Sequence, residues 1–145
     1  HFDADCSAGS FVEGLWHGDV VELFLGDAET GRYREFNLSP TGAWWAAAFA
    51  AYRERESAEF TATPLLSSSV KLGHWGYSFR IPRSLLGLDP TERNARVAVS
   101  AILGSPRRYF STGTDPAATP DFHRVELYSL FDFRRPIAIT GEKQP

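Results

Sequence analysis

Short runs rich in Val, Ile, Phe, Tyr and Trp alternate along the chain with clusters of Gly, Pro, Ser and Asp. That spacing belongs to antiparallel β architecture, in which branched and aromatic side chains pack on a pleated surface and the turn residues allow sharp reversals. The pattern predicts strands over residues 20–25, 32–38, 44–50, 58–63, 66–72, 75–81, 96–103, 107–111 and 125–133. The clearest unit is the first hairpin. Val20, Val21, Leu23, Phe24 and Leu25 read as a buried strand, and Asp27, Gly31 and the charged residues between them turn the chain into the second. Residues 44–56, WWAAAFAAYRERE, carry alanines that favour helix, yet Trp44, Ala46, Ala48 and Ala50 would also line one face of a strand, and strand is the reading taken. Pro82 followed by RSLLGL predicts a short helical turn closed by Gly87 and stopped by Pro90, an insert covering one end of the fold. The fold class expected is all-β: an antiparallel β-sandwich, immunoglobulin-like or jelly-roll-like, with one short helical turn.

At 145 residues, with 43% hydrophobic and 14% aromatic content, the chain suits one domain over residues 1–139, followed by a loose polar tail over 140–145. A net charge of -3 argues against nucleic acid as a partner, because general binding to phosphates depends on a basic surface. No apolar run approaches the roughly 20 residues that span a bilayer, and the opening HFDADCSAGS has neither a basic region nor an apolar signal core. The single Cys6 makes no internal disulfide. The absence of Met and a first residue of His1 lead us to expect a piece of a longer translation product.

Several residues depart from what packing alone requires. Trp16 stands just before the first strand, Glu22 interrupts an apolar run, and Trp44 and Trp45 lie side by side. Trp16 reads equally as core or as a ligand face, and Glu22 equally as a solvent-facing or a ligand-facing carboxylate. In an extended chain Trp44 and Trp45 point to opposite faces, so one of them belongs to the core. Trp75, Phe79 and Phe131 read as core. The histidines His17, His74 and His123 form no ligand cluster in sequence, and His123 is read as a local hydrogen-bonding group or a cleft residue. Asp19, Glu22 and Glu35 come near one another if the hairpin forms, but nothing in sequence sets the carboxylate separation that a glycosidase needs. GSP at Gly104 lacks the second glycine of a nucleophile elbow, and no phosphate-cradling loop occurs. The arginine pairs beginning at Arg107 and Arg134 read as solvated strand ends. These signs point away from an enzyme.

Trp16, Asp19, Val21 and Glu22 form W-x-x-D-x-V-E, followed by LFL, an acidic and glycine turn, and YREFNLSP; further on come HWGYSFRIPRSLL and DPAATPDFHRVEL. In this order, across residues 14–133, the segments resemble the family 9 carbohydrate-binding module, and EFNLSPTGAW and PDFH resemble bacterial DOMON-like domains more closely still. The resemblance implies a β-sandwich that binds a mono- or oligosaccharide, or haem in other branches, performs no bond-breaking chemistry, and works in the periplasm or outside the cell. Carried onto this chain, it places Trp16 at a ring-stacking aromatic, Glu22 at a carboxylate that accepts from sugar hydroxyls and Asn37 at a polar position of the neighbouring strand. Beside what the resemblance implies, we expect Trp45, Tyr109 and His123 to line the rest of the cleft. It also implies a second tryptophan near Ala117 and Ala118, and a polar amide near residues 100–102, where this chain has neither. Family strands precede the position of His1, so upstream strands or other domains are expected partners. No cofactor is expected. The alternatives are a haem-carrying electron-transfer domain, which without Met would need two histidines or a lysine, and an interaction domain whose cleft has lost its ligand.

Overall fold

Alternation in the first hairpin sets the two faces of the main sheet. A computed structural model of the chain describes residues 7–27, 29–57, 65–71, 74–81, 85–87, 94–113 and 119–132. Its strands are β1 (Val20–Asp27), β2 (Tyr33–Leu38), β3 (Trp44–Ala51), β4 (Glu54–Glu56), β5 (Leu65–Lys71), β6 (His74–Arg80), β7 (Asn94–Leu103), β8 (Arg108–Ser111) and β9 (Ser129–Asp132). Seven of them form one antiparallel sheet in the order β4-β3-β2-β1-β7-β8, with β9 also on β7, and β5 and β6 pair separately as a hairpin. The expectation of an all-β antiparallel fold holds. Among the described residues no helix is long and apolar enough to cross a membrane.

The β1–β2 turn is built by Asp27, whose carboxylate accepts from Glu29 N at 2.7 Å and from Thr30 Oγ1 at 2.6 Å, while Gly31 takes the left-handed φ of 73° that the reversal needs. The resulting register pairs Glu22 with Asn37 and Phe24 with Glu35. At the β2–β3 turn, Ser39 Oγ accepts from Ala43 N at 3.0 Å and Gly42 adopts φ 90°, which sets Asn37 opposite Trp45.

Both faces of the centre of this sheet are covered. Val20, Phe24, Tyr33, Trp45 and Phe49 pack on one face with Phe122, Val125 and Tyr128 from the segment after β8. Leu25, Phe36, Trp44 and Ala46 pack on the other, against Leu23, Ile81, Leu86 and Val97. β3 is therefore buried on both sides along most of its length, which explains why its alanines form strand rather than helix: small side chains let a central strand fit between two apolar layers.

Two expectations are corrected. The strand expected over 125–133 is divided, with Val125–Leu127 forming a 3-10 turn and only Ser129–Asp132 pairing as strand. Val125 is drawn onto β1 at Gly26, where a Cβ would lie 2.8 Å from Val125 Cγ1, and Tyr128 then anchors the turn by donating its hydroxyl to Phe122 O at 2.6 Å. β4 was absent from the sequence pattern because Glu54, Arg55 and Glu56 carry no apolar signal; they pair with β3 past a register shift between Phe49 and Ala51, with Arg53 at φ 57° making the turn. The strand expected over 58–63, residues 82–84 of the helical insert and the tail over 140–145 lie outside the described residues. Gly87, expected to close that insert, holds φ 66°, and a Cβ there would meet Arg34 Nε at 2.3 Å.

Candidate functional site

One row of side chains crosses five strands on the same face. Ser111, Ser100, Glu22, Asn37 and Trp45 are successive neighbours in register from β8 to β3. Four of these five are polar, and the row is sealed: Glu22 is 3% exposed, and Asn37 and Ser100 are almost fully buried. Polar groups at the centre of a sheet cost free energy unless they are paired, so their presence marks a use other than packing.

Above this row lies a cavity of about 450 Å³, lined by Trp16, Glu22, Glu35, Trp45, Tyr109 and His123 among others. Five of the six sequence-predicted residues, Trp16, Glu22, Trp45, Tyr109 and His123, thus meet in one place. Asn37, the sixth, sits in the floor, where Nδ2 donates to Glu35 Oε1 at 2.9 Å. The choice left open for Glu22 is also settled: it faces the cavity and not bulk solvent. Trp45 takes the cavity face while Trp44 packs on the opposite side, edge-on to Phe11.

The Trp16 wall is held by backbone. Leu15–His17 is a single 3-10 turn, entered through Gly14 at φ 86°. Arg107 fastens it, donating to His17 O at 2.8 Å, to Gly18 O at 3.2 Å and to Trp16 O. Arg107, expected to be a solvated strand end, is exposed just before β8 and carries these bonds in addition. Arg134 lies outside the described residues. Trp16 is half-buried, and its indole meets that of Trp45 at 4.9 Å between centroids and 68° between planes. The two rings therefore make one corner and cannot clasp a guest between them. Aromatic surface on the far side comes from Phe122 and Tyr109, with rings 6.4 Å apart and Tyr109 47% exposed.

Two carboxyls share the floor. Burial pushes Glu22 up to about 8, with the charge of Glu35 adding to the rise and Arg107 opposing it. Burial likewise raises Glu35 to about 7, against the Asn37 hydrogen bond and the charges of Arg53 and Arg55. No hydrogen bond or ion pair holds the Glu22 carboxyl among the described residues. Two further buried atoms are unpartnered, Asn37 Oδ1 and Trp45 Nε1.

His123 closes the wall. Its Nδ1 lies 2.8 Å from the Tyr33 hydroxyl, whose oxygen also accepts from Arg53 N at 3.1 Å. With that oxygen already accepting, the hydroxyl proton is directed to Nδ1, which leaves the ring N–H on Nε2, facing Glu35 Oε2 at 3.9 Å. Burial, then the charge of Arg53, lowers the imidazole to about 4 while Asp121 pulls the other way, so at neutral pH this is a neutral ring beside a carboxyl and not an ion pair. At the rim, Arg53 pairs with Asp121 at 2.9 Å, and Arg55 pairs with Glu13 at 2.7 Å while its guanidinium lies 5.1 Å from the Trp45 ring centre.

Glu35 and Phe49 were absent from the expected set. In YREFNL, Glu35 and Asn37 stand two apart and so share a face, and hairpin pairing puts both beside Glu22; that signal was available. Phe122 and the arginines of the rim arrive from loops, which no strand periodicity locates. Asp19, considered with Glu22 and Glu35 as a possible cluster, is instead occupied elsewhere, accepting from Gly104 N at 2.7 Å. Among the described residues no group of three or more His, Cys, Asp or Glu side chains is arranged to hold a metal ion. No protein-family model, curated protein or solved structure matches the chain.

Proposed function

We propose that the chain is a non-catalytic carbohydrate-binding module and that the cavity over the polar row is its sugar site. A pyranose has apolar C–H faces and a rim of hydroxyls, so its site calls for flat aromatic surface and for donors and acceptors that face inward. The observation that carries the reading is the pair of unpartnered buried atoms, Trp45 Nε1 and Asn37 Oδ1, in a floor otherwise shaped by aromatic rings. A buried polar group without a partner costs about 1–3 kcal/mol, which a guest hydroxyl placed against it would recover. Trp16 offers its exposed surface to the ring, Glu22 and Asn37 accept from hydroxyls, Trp45 donates, and Tyr109 and His123 bound the remaining space. A volume of about 450 Å³ suits a guest of small-molecule size.

The haem alternative finds no matching ligand in the cavity. Nδ1 of His123 is taken up by the Tyr33 hydroxyl, and its ring packs edge-on against Phe24 and Phe49 at 5.5 and 5.3 Å, which supports the sugar reading over haem.

Tryptophan fluorescence titration with a panel of mono- and oligosaccharides tests the proposal. A saturable change is expected from the native chain, and Trp16→Ala is expected to remove it while the far-ultraviolet circular dichroism keeps its strand signature. Silence of the native chain across the whole panel would overturn the reading.

A further inference from the structure

The acidic groups of the rim and of the floor of the cavity are partnered differently. At the rim, Arg53 and Arg55 are neutralised by Asp121 and Glu13. On the floor, among the described residues, no lysine or arginine is ion-paired with Glu22 or Glu35 and no hydrogen bond reaches the Glu22 carboxyl. His123, a neutral ring, lies 3.9 Å from Glu35, and Arg107, Arg53 and Arg55 act on the two carboxyls only through their field. Acidic side chains are common on surfaces and by themselves say little. Here the pair is buried, and Trp45 and Asn37, in contact with the same chamber or its floor, carry the buried unpartnered atoms Nε1 and Oδ1.

We infer that the guest is an amino sugar whose ammonium group enters between Glu22 and Glu35, with its ring against the Trp16 and Trp45 corner. The inference rests on the sugar-site reading and names the chemical class within it. An ammonium carries three donors and one positive charge, enough to serve Glu22, Glu35 and Asn37 Oδ1 together and to draw a buried carboxyl into its ionised form with release of its proton to solvent, whereas a hydroxyl brings one donor and no charge. The indole faces favour the same charge, because the negative face of an aromatic ring attracts a cation when water is excluded. N-acetylation removes both the charge and two of the donors, so the acetylated sugar is the discriminating control.

Calorimetric titration of the whole chain at neutral pH with glucosamine disaccharide, its N-acetylated counterpart and the neutral glucose disaccharide reads this directly. The free amine is expected to bind about tenfold to a hundredfold more tightly than either control, the range given by one or two charge-assisted hydrogen bonds. Glu22→Gln and Glu35→Gln, which keep the shape of the side chain, are expected to erase that preference, read as the ratio of affinities for the amine and the neutral disaccharide in each variant. Equal or tighter binding of the acetylated or neutral sugar would overturn the inference while leaving the sugar site standing. Binding of cyclohexylamine as tightly as glucosamine, with no response to neutral sugars, would overturn the sugar site itself. Absence of binding by all four compounds would overturn both.

Discussion

Replacing Glu22 with Gln should make the protein more stable at alkaline pH. Glu22 is buried, and its carboxyl rises from an ordinary 4.5 to about 8 on folding. Between these values the unfolded chain gives up the proton while the folded chain keeps it, so the folded state binds more protons and stability falls as pH rises. At pH 5 the unfolded side chain is only partly ionised and the penalty is about 1 kcal/mol; at pH 8 it reaches about 4 kcal/mol at 1.36 kcal/mol per pKa unit. The difference between native and Glu22→Gln chains should therefore grow by about 3 kcal/mol from pH 5 to pH 8, in favour of the variant. His123 changes stability in the opposite direction over part of the range, but it is present in both chains and cancels in the comparison. Urea unfolding of both proteins at several pH values measures the effect. A stability difference that stays constant from pH 5 to pH 8 would refute the burial and the unpaired state of this carboxyl.

His123, lowered from 6.5 to about 4, should remain neutral well below pH 6 and should cost stability as pH falls through that interval, because only the unfolded chain takes up the proton. Its ring proton shifts, followed by NMR, should show a midpoint below 5. Arg107→Ala removes three donors from the turn that carries Trp16. Being exposed, these bonds should be worth under about 1 kcal/mol in stability. The clear signal should be faster amide exchange at Gly18 and a red shift of tryptophan emission. Gly113→Ala places a Cβ 2.8 Å from that of Ala98 and 3.0 Å from the Tyr128 ring, and should lower stability by about 2 kcal/mol in chemical denaturation.

Much of the fold could be read from the chain because its signals are local. Alternating apolar residues announced β1, β2 and β7, and the turn chemistry of Asp27, Gly31 and Gly42 fixed where the strands reverse. Fixing the reversals fixed the register, and the register placed Asn37 between Glu22 and Trp45. Trp16, named from its place before the first strand and from a family likeness, lines the same cavity as His123, a residue named without that likeness. What escaped depends on contacts distant in sequence. The 3-10 turn at Val125–Leu127 exists because Gly26 admits Val125, and VEL alternates as well as any strand. β4 is wholly charged and is recruited by pairing alone. The neutral state of His123 follows from burial and a nearby guanidinium, neither of which has a sequence signature.

The outer edge of β7 is divided between β9, which pairs with Asn94 to Val97, and β8, which pairs with Ser100 to Leu103, with Thr112 bonding Val99 N and O in the gap. At the opposite limit of the sheet stands β4, three charged residues long. Neither boundary offers a long, flat, apolar row of free amides and carbonyls on which another chain could add itself. The main sheet is thus hemmed by short borders of three or four residues, charged on the β4 side, which leave little length on which a second copy could extend that sheet strand by strand.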